Sequence, residues 1–260
     1  MKTLIKTGIG MLVAALVFIA LTAGFMRAHA ATPIGTESRQ IESDIVNIVV
    51  TGPVDLELRQ SATPSLMLKG ELSMLPRITT KIEGKTLYLG TRGIIITIRQ
   101  PLVVELALPN LDKLHMQGSG DARIKNFNGK RLDVTMRGSG DFHFEGDFQQ
   151  IASTNYGSGD STWTLLNNEQ IDLELFGSGD AIVRGQTKSL NSKLMGSGDL
   201  DATNLKAAQA VVTGGGSGDL KVFASQEVKV RLTGSGDATI YGNPSKKSVD
   251  RTGSGEIRWQ

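Results

Sequence analysis

A carboxylate recurs at nearly constant spacing along the C-terminal half of this chain. It closes the four-residue motif Gly-Ser-Gly-Asp, here called the GSGD motif, whose copies begin at residues 118, 138, 157, 177, 196, 216 and 234. An eighth copy begins at residue 253 and ends in Glu, and the eight starts are 20, 19, 20, 19, 20, 18 and 19 residues apart. Stacked repeats would place these acids in one column, which consists of Asp121, Asp141, Asp160, Asp180, Asp199, Asp219, Asp237 and Glu256.

Such a column has two interpretations. Carboxylates about 5 Å apart repel each other by about 1 kcal/mol in water, so some partner must offset the charge. Ca²⁺ prefers oxygen ligands and would be that partner in a functional interpretation. In a structural interpretation, each Asp accepts hydrogen bonds from backbone N–H groups of its own corner, and the two glycines supply left-handed dihedral angles. We favour the structural interpretation and expect neither a metal nor another cofactor.

The residues between the motifs alternate between apolar and polar. The first and third residues after a motif are mostly apolar, as in Phe142/Phe144 and Ala181/Val183, and a second alternating run precedes each motif, as in Ile171/Leu173/Leu175. This period of two predicts strands with one buried face. Because a two-strand unit cannot bury that face alone, each repeat must stack on its neighbours. The sequence therefore predicts an all-β, right-handed parallel β-helix, or β-solenoid, with GSGD corners.

The two halves of the exported chain differ in regularity. Residues 118–260 are expected to form seven coils and a terminal strand. Residues 31–117 lack the motif, keep the strand character and are punctuated by prolines such as Pro53 and Pro64, which predicts irregular coils that cap the solenoid. We treat 31–260 as one domain.

Residues 1–30 have the three parts of a secretory signal peptide. Lys2 and Lys6 precede an apolar stretch over residues 8–26, and Ala28-His29-Ala30 fits a cleavage site. The alternative is an uncleaved anchor, through which alone the protein would then contact the membrane. Either way we expect export to the periplasm, the cell surface or the medium.

Composition narrows the function classes. The chain contains no cysteine, so disulfides cannot hold the exported fold. Without the three basic residues of the signal peptide, the chain has 25 basic and 26 acidic residues. The basic residues do not cluster in the way that would indicate nucleic-acid binding. His115 and His143 give no compelling catalytic arrangement, and the acids are spread evenly over the coils. We expect no catalytic residues and no enzyme activity, although a carbohydrate-active β-helix enzyme remains an alternative.

The sequence resembles a known family. A signal peptide, the strand residues 54–58 and 102–108, Pro109-Asn110-Leu111 and the iterated GSGD motif are similar to the family named putative auto-transporter adhesin, head GIN domain. The resemblance covers nearly all of 38–260 and implies a β-helical fold in the bacterial cell envelope. The family's name implies adhesion, and the resemblance transfers no site residues.

One stripe of residues is the candidate contact patch. The residue before each motif should face outward, and three consecutive coils carry Tyr156, Phe176 and Met195 there. An exposed apolar patch would suit a cell-surface, glycan or protein ligand, whereas the structural alternative is that these side chains cover the corners of their own coils. We therefore expect a binding or adhesion module, with a passive structural element of the envelope as the alternative.

Overall fold

The computed structural model describes residues 33–42, 44–93 and 100–260. The predicted signal segment 1–30 and the strand expected at 94–98 lie outside these residues. The described chain is almost entirely β, with one 3-10 turn at Leu75–Arg77. Its strands, numbered in chain order, are β1 (Ile34–Arg39), β2 (Asn47–Thr51), β3 (Asp55–Gln60), β4 (Ser65–Glu71), β5 (Ile78–Glu83), β6 (Thr86–Thr91), β7 (Val103–Leu108), β8 (Lys113–Gly118), β9 (Ala122–Gly138), β10 (Phe142–Asn155), β11 (Ser161–Leu175), β12 (Ala181–Leu194), β13 (Leu200–Gly214), β14 (Leu220–Leu232), β15 (Ala238–Tyr241), β16 (Lys246–Arg251) and β17 (Ile257–Trp259).

From β9 onward the chain winds as a parallel β-solenoid. Each coil pairs in parallel with the coils before and after it, so that Phe142 of β10 lies opposite Ala122 of β9 and Ser161 of β11. Since every motif occupies the same point of its coil, the GSGD corners lie in register along one edge. The prediction of stacked parallel coils is confirmed, and the solenoid has about seven turns.

The two halves of most coils are joined by a bend within one long strand, whereas the two-strand unit inferred from the sequence implied separate strands. The register shifts at the bend, as between Glu145 and Gly146 of β10. Parallel neighbours on both sides continue to bond the backbone on either side of the shift, so the strand bulges there without ending. Only β15 and β16 are separate strands, and Gly242 and Asn243, both with positive φ, lie between them.

The alternation predicts the core correctly. Trp163 is fully buried, and Phe144 and Leu173 are each 2% exposed. The rings of Phe142 and Phe144 lie 4.7 and 5.5 Å from the Trp163 ring, so aromatic side chains of adjacent coils fill the interior. The last coil departs from the pattern: Trp259 occupies the inward position of Ile240 but is 39% exposed, because among the described strands β17 is paired with β15 alone.

The N-terminal strands form a coil that is out of sequence order. β2 and β3 lie between β6 and β7 on one side and β8 and β9 on the other, and these pairings are parallel. Two antiparallel pairings, β4 with β7 and β5 with β6, break the solenoid pattern at this end. Because Gly52 continues a register in which Thr51 lies opposite Gln117, Gly52-Pro53-Val54-Asp55 is a ninth corner, although it lacks the GSGD sequence.

Candidate functional site

The glycines of the corner are required by close approach of the backbone. A Cβ on Gly177 would lie 1.7 Å from the carbonyl oxygen of Gly157, and one on Gly179 would lie 2.1 Å from that of Gly159. Of the motif glycines, only Gly118, Gly138 and Gly253 have a φ in the range unfavourable to other residues. The prediction that left-handed dihedral angles require both glycines was therefore wrong: neighbouring corners stack so closely that no side chain fits between them.

The acidic column is a ladder of hydrogen bonds between coils. The backbone N–H of each acid donates to Oδ1 of the acid one coil earlier, at 2.8–2.9 Å, as Asp180 does to Asp160 and Asp160 to Asp141. The ladder begins at Asp55 and runs through Asp121, Asp141, Asp160, Asp180, Asp199, Asp219, Asp237 and Glu256. The expectation that each Asp bonds to its own corner was wrong, because the in-register stack brings the next coil's N–H nearer.

The two ends of the ladder differ electrostatically. Burial raises the pKa of the Asp55 carboxyl above its usual value, more than the hydrogen bond from the Asp121 amide lowers it. At the other end the Arg258 guanidinium lies 2.9 Å from Asp237 and 2.8 Å from Glu256. Among the described residues, no three acidic or histidine side chains converge as a metal ion would require. The Ca²⁺ interpretation of the column stays untested.

Two of the three side chains of the predicted contact stripe, Tyr156 and Phe176, touch each other. The rings of Tyr156 and Phe176 are stacked, 5.2 Å apart and 9° from parallel. Tyr156 is 48% exposed and Met195 is 43% exposed, while Phe176 is half-buried. Met195 lies over Gly215, where a Cβ would be 2.3 Å from its sulfur.

Two cations complete this aromatic–cationic ridge, which we define as Arg137, Tyr156, Phe176, Lys193 and Met195. The Arg137 guanidinium carbon lies 4.9 Å from the centre of the Tyr156 ring, and the Lys193 Nζ lies 5.2 Å from that of Phe176. Tyr156 is thus held between a guanidinium and a second ring. Its ring faces are occupied, so the ridge presents ring edges, the tyrosine hydroxyl and two positive charges to solvent.

A groove of about 870 Å³ lies at the N-terminal end of the molecule. Its walls come from residues 38–41, from the outer faces of β3, β4 and β7, and from the first residues of β9. We call it the N-terminal groove. Among its lining side chains, Arg59 of β3 lies directly opposite Lys125 of β9, and Glu57 lies opposite both Arg123 and Glu105.

The pattern of the sequence alone does not predict this groove. Alternation along β3 was a signal that Glu57 and Arg59 face outward, but it did not identify their neighbours. Those neighbours, on β7 and β9, are set by pairings between distant segments, and the wall formed by Met67 follows from the antiparallel return of β4. No local pattern in the sequence carries that information.

The family whose description is putative auto-transporter adhesin, head GIN domain, matches residues 46–244. The chain belongs to this family. Comparison with curated protein sequences gives no match. Within the described residues of this head GIN protein, no helix is both long and apolar enough to span a membrane.

Solved structures share the fold of this head GIN protein. A putative adhesin from Parabacteroides distasonis superposes with a TM-score of 0.79 at 16% identity, over 88% of this chain and 98% of the other. A putative lipid binding protein from the same species gives a TM-score of 0.77 at 26% identity, over the same shares. A putative adhesin from Parabacteroides merdae gives 0.76 at 16% identity, over 88% and 97%.

Proposed function

We propose that this protein is a non-enzymatic, exported adhesion module that binds a protein partner through the aromatic–cationic ridge. The observation that carries the proposal is the exposed stack of Tyr156 on Phe176 between Arg137 and Lys193. Tyrosine, arginine and methionine are enriched where proteins bind each other, and a rigid, pre-stacked cluster loses little entropy on binding.

The ridge favours a protein ligand over a glycan. Aromatic platforms that hold sugars need a free ring face, whereas both faces of Tyr156 are covered by Arg137 and Phe176. Ring edges and positive charges suit an acidic protein surface instead. Membership of a family named for adhesion and the putative adhesins among the structural neighbours support a binding role at the bacterial surface.

The proposal is tested with beads coated with the protein and with envelopes prepared from the bacterium that makes it. The variant Tyr156→Ser with Phe176→Ser should bind the envelopes at least tenfold more weakly while its unfolding transition remains close to that of the wild-type protein. The matched control is Leu166→Ser with Val211→Ser, since both residues are comparably exposed apolar side chains outside the ridge. Protease treatment of the envelopes should abolish binding, and periodate oxidation of their glycans should not.

Other outcomes select the alternatives. Binding lost on periodate treatment would assign the ridge to a glycan. If both double variants bind as well as the wild-type protein, the passive structural element becomes the better description. If only the ridge variant unfolds, Tyr156 and Phe176 serve to cover the corners of their coils.

A further inference from the structure

Arg59 and Lys125 in the N-terminal groove have no counter-ion among the described residues. Their side chains are exposed on adjacent strands at directly opposite positions. Within the described part of the chain neither forms an ion pair, although Arg123 beside them lies 3.7 Å from Glu57 and Arg39 lies 2.9 Å from Glu37. Like charges that face each other across two strands are destabilising, so an anion bound between them would relieve a repulsion that the folded protein retains.

The position of Lys125 is fixed by the backbone of the bend in its coil. The next residue, Asn126, has a φ of +54° and is the extra residue where the register between β9 and β10 shifts. Gln60 braces this bulge: its Nε2 donates to the Asn128 carbonyl oxygen at 3.1 Å, and its Oε1 accepts the Asn128 N–H at 3.2 Å. Among the described residues, a positive φ outside glycine occurs at Asn126 and Asn243 alone, and such backbone recurs where a side chain is aimed for function.

The opposite wall of the groove, formed by residues 38–41 and the start of β4, carries apolar side chains among polar ones. Met67 of β4 is 38% exposed there, and Pro64 and Ile41 line the same groove. The one carboxylate of the groove with no ion pair in the described residues, Glu105, lies next to Met67 on β7, one strand further from Lys125 than Arg59 is. The groove thus carries apolar side chains opposite a side with excess positive charge, and its volume is within the range of small-molecule sites, about 300–1,000 Å³.

We infer that the N-terminal groove binds a single-chain carboxylate amphiphile, a fatty acid, with its carboxylate between Arg59 and Lys125 and its alkyl chain along Met67 and Ile41. The guanidinium offers two parallel donors to a carboxylate, and the ammonium adds a second charge. The site shares no residue with the aromatic–cationic ridge, so it goes beyond the proposed adhesion function and stands or fails separately.

The test is calorimetric titration of the full chain with decanoate below its micelle concentration. We expect saturable 1:1 binding that weakens at least tenfold in the variant Arg59→Gln with Lys125→Gln. Arg184→Gln with Lys221→Gln removes the same charges from the outer surface of other coils and should bind decanoate like the wild-type protein. Octanoate should bind about tenfold more weakly than decanoate, because two fewer methylene groups leave water. All variants keep the same N-terminal apolar segment, so decanoate bound by that segment contributes equally to every titration and does not affect the differences between variants.

A second readout does not depend on the variants. Amide chemical shifts of the wild-type protein should change with decanoate at β3, β4 and the start of β9, and stay constant at β12 and β13. The inference is overturned if decan-1-ol or decyltrimethylammonium binds as tightly as decanoate, if the shifts move elsewhere, or if the Arg59 and Lys125 variant binds decanoate normally. The ridge variant Tyr156→Ser with Phe176→Ser should retain decanoate binding, which separates this result from that of the adhesion proposal.

Discussion

The backbone N–H of Asp121 donates a hydrogen bond of 2.9 Å to Oδ1 of Asp55, although 66 residues separate the two in sequence. This bond joins the out-of-order N-terminal coil to the regular solenoid. It also makes Asp55 the first member of the acidic ladder, without a GSGD motif around it. The N-terminal coil is therefore connected to the repeats by the same kind of bond that connects the repeats to each other.

The first prediction concerns Asp55 and pH. Because burial raises the pKa of its carboxyl, the folded protein holds this proton more tightly than the unfolded chain does. Protonated Asp55 thus favours folding below the ordinary Asp pKa, and this contribution is lost as pH rises through the raised pKa of the folded protein. The asparagine of Asp55→Asn carries no charge at any pH. The melting temperature of this variant, relative to that of the wild-type protein, should therefore increase between pH 3 and pH 7.

The control for this experiment is Asp112→Asn, which removes one exposed carboxylate outside the ladder. A difference between Asp55→Asn and wild type that shrinks with rising pH would contradict the prediction.

The second prediction concerns the interior of the ladder. Asp160→Ala leaves the Asp180 N–H without its acceptor at 2.9 Å, and should lower the free energy of unfolding by about 1 kcal/mol. Asp160→Asn keeps a carbonyl oxygen in the same place and should cost less. Urea unfolding of the three proteins gives the comparison, and equal losses in the two variants would mean that the hydrogen bond contributes nothing.

The third prediction is that the fold does not need Ca²⁺. One oxygen of every ladder aspartate already accepts a backbone N–H, which offsets part of the charge that a cation would otherwise neutralise. Excess EDTA should leave the melting temperature unchanged in a thermal scan. A large decrease that Ca²⁺ restores and Mg²⁺ does not would make the ladder a set of metal ligands.

The fourth prediction concerns the corner glycines. Gly179→Ala places a Cβ 2.1 Å from the Gly159 carbonyl oxygen, so two coils must move apart and unfolding should become easier by about 2 kcal/mol or more. Ser178→Ala changes the exposed neighbour in the same corner and should stay within about 0.5 kcal/mol. Denaturant midpoints decide the matter, and comparable effects of the two substitutions would refute the close-approach explanation.

The fifth prediction concerns a buried hydroxyl. Ser192 lies inward between Leu173 and Val212, and its Oγ has no hydrogen-bond partner in the part of the chain that the structure describes. Ser192→Ala should therefore raise the free energy of unfolding by about 1 kcal/mol. Thr187→Val should lower it, because the Thr187 hydroxyl donates to Asn168 Oδ1 at 2.6 Å. Calorimetric melting that showed the same sign for both substitutions would contradict this account.

The repeat pattern by itself determined the architecture of residues 118–260. An alternation of period two sets which side chains face inward, so the burial of Trp163 and Leu173 follows from their distance to the nearest motif. The same phase sets Tyr156 and Met195 outward. These properties are local or strictly periodic. Because similar coils stack in register, the inward or outward direction of a side chain in one coil holds for the same position in the next.

Tertiary structure decided what lies between segments that are not periodic neighbours. The corner at Gly52–Asp55, the partner of each ladder aspartate and the opposition of Arg59 to Lys125 all depend on which backbone strands pair. Strand pairing is a property of two segments at once, set by burial and backbone hydrogen bonding across the whole molecule. The N-terminal groove therefore forms only where β3, β4, β7 and β9 lie side by side.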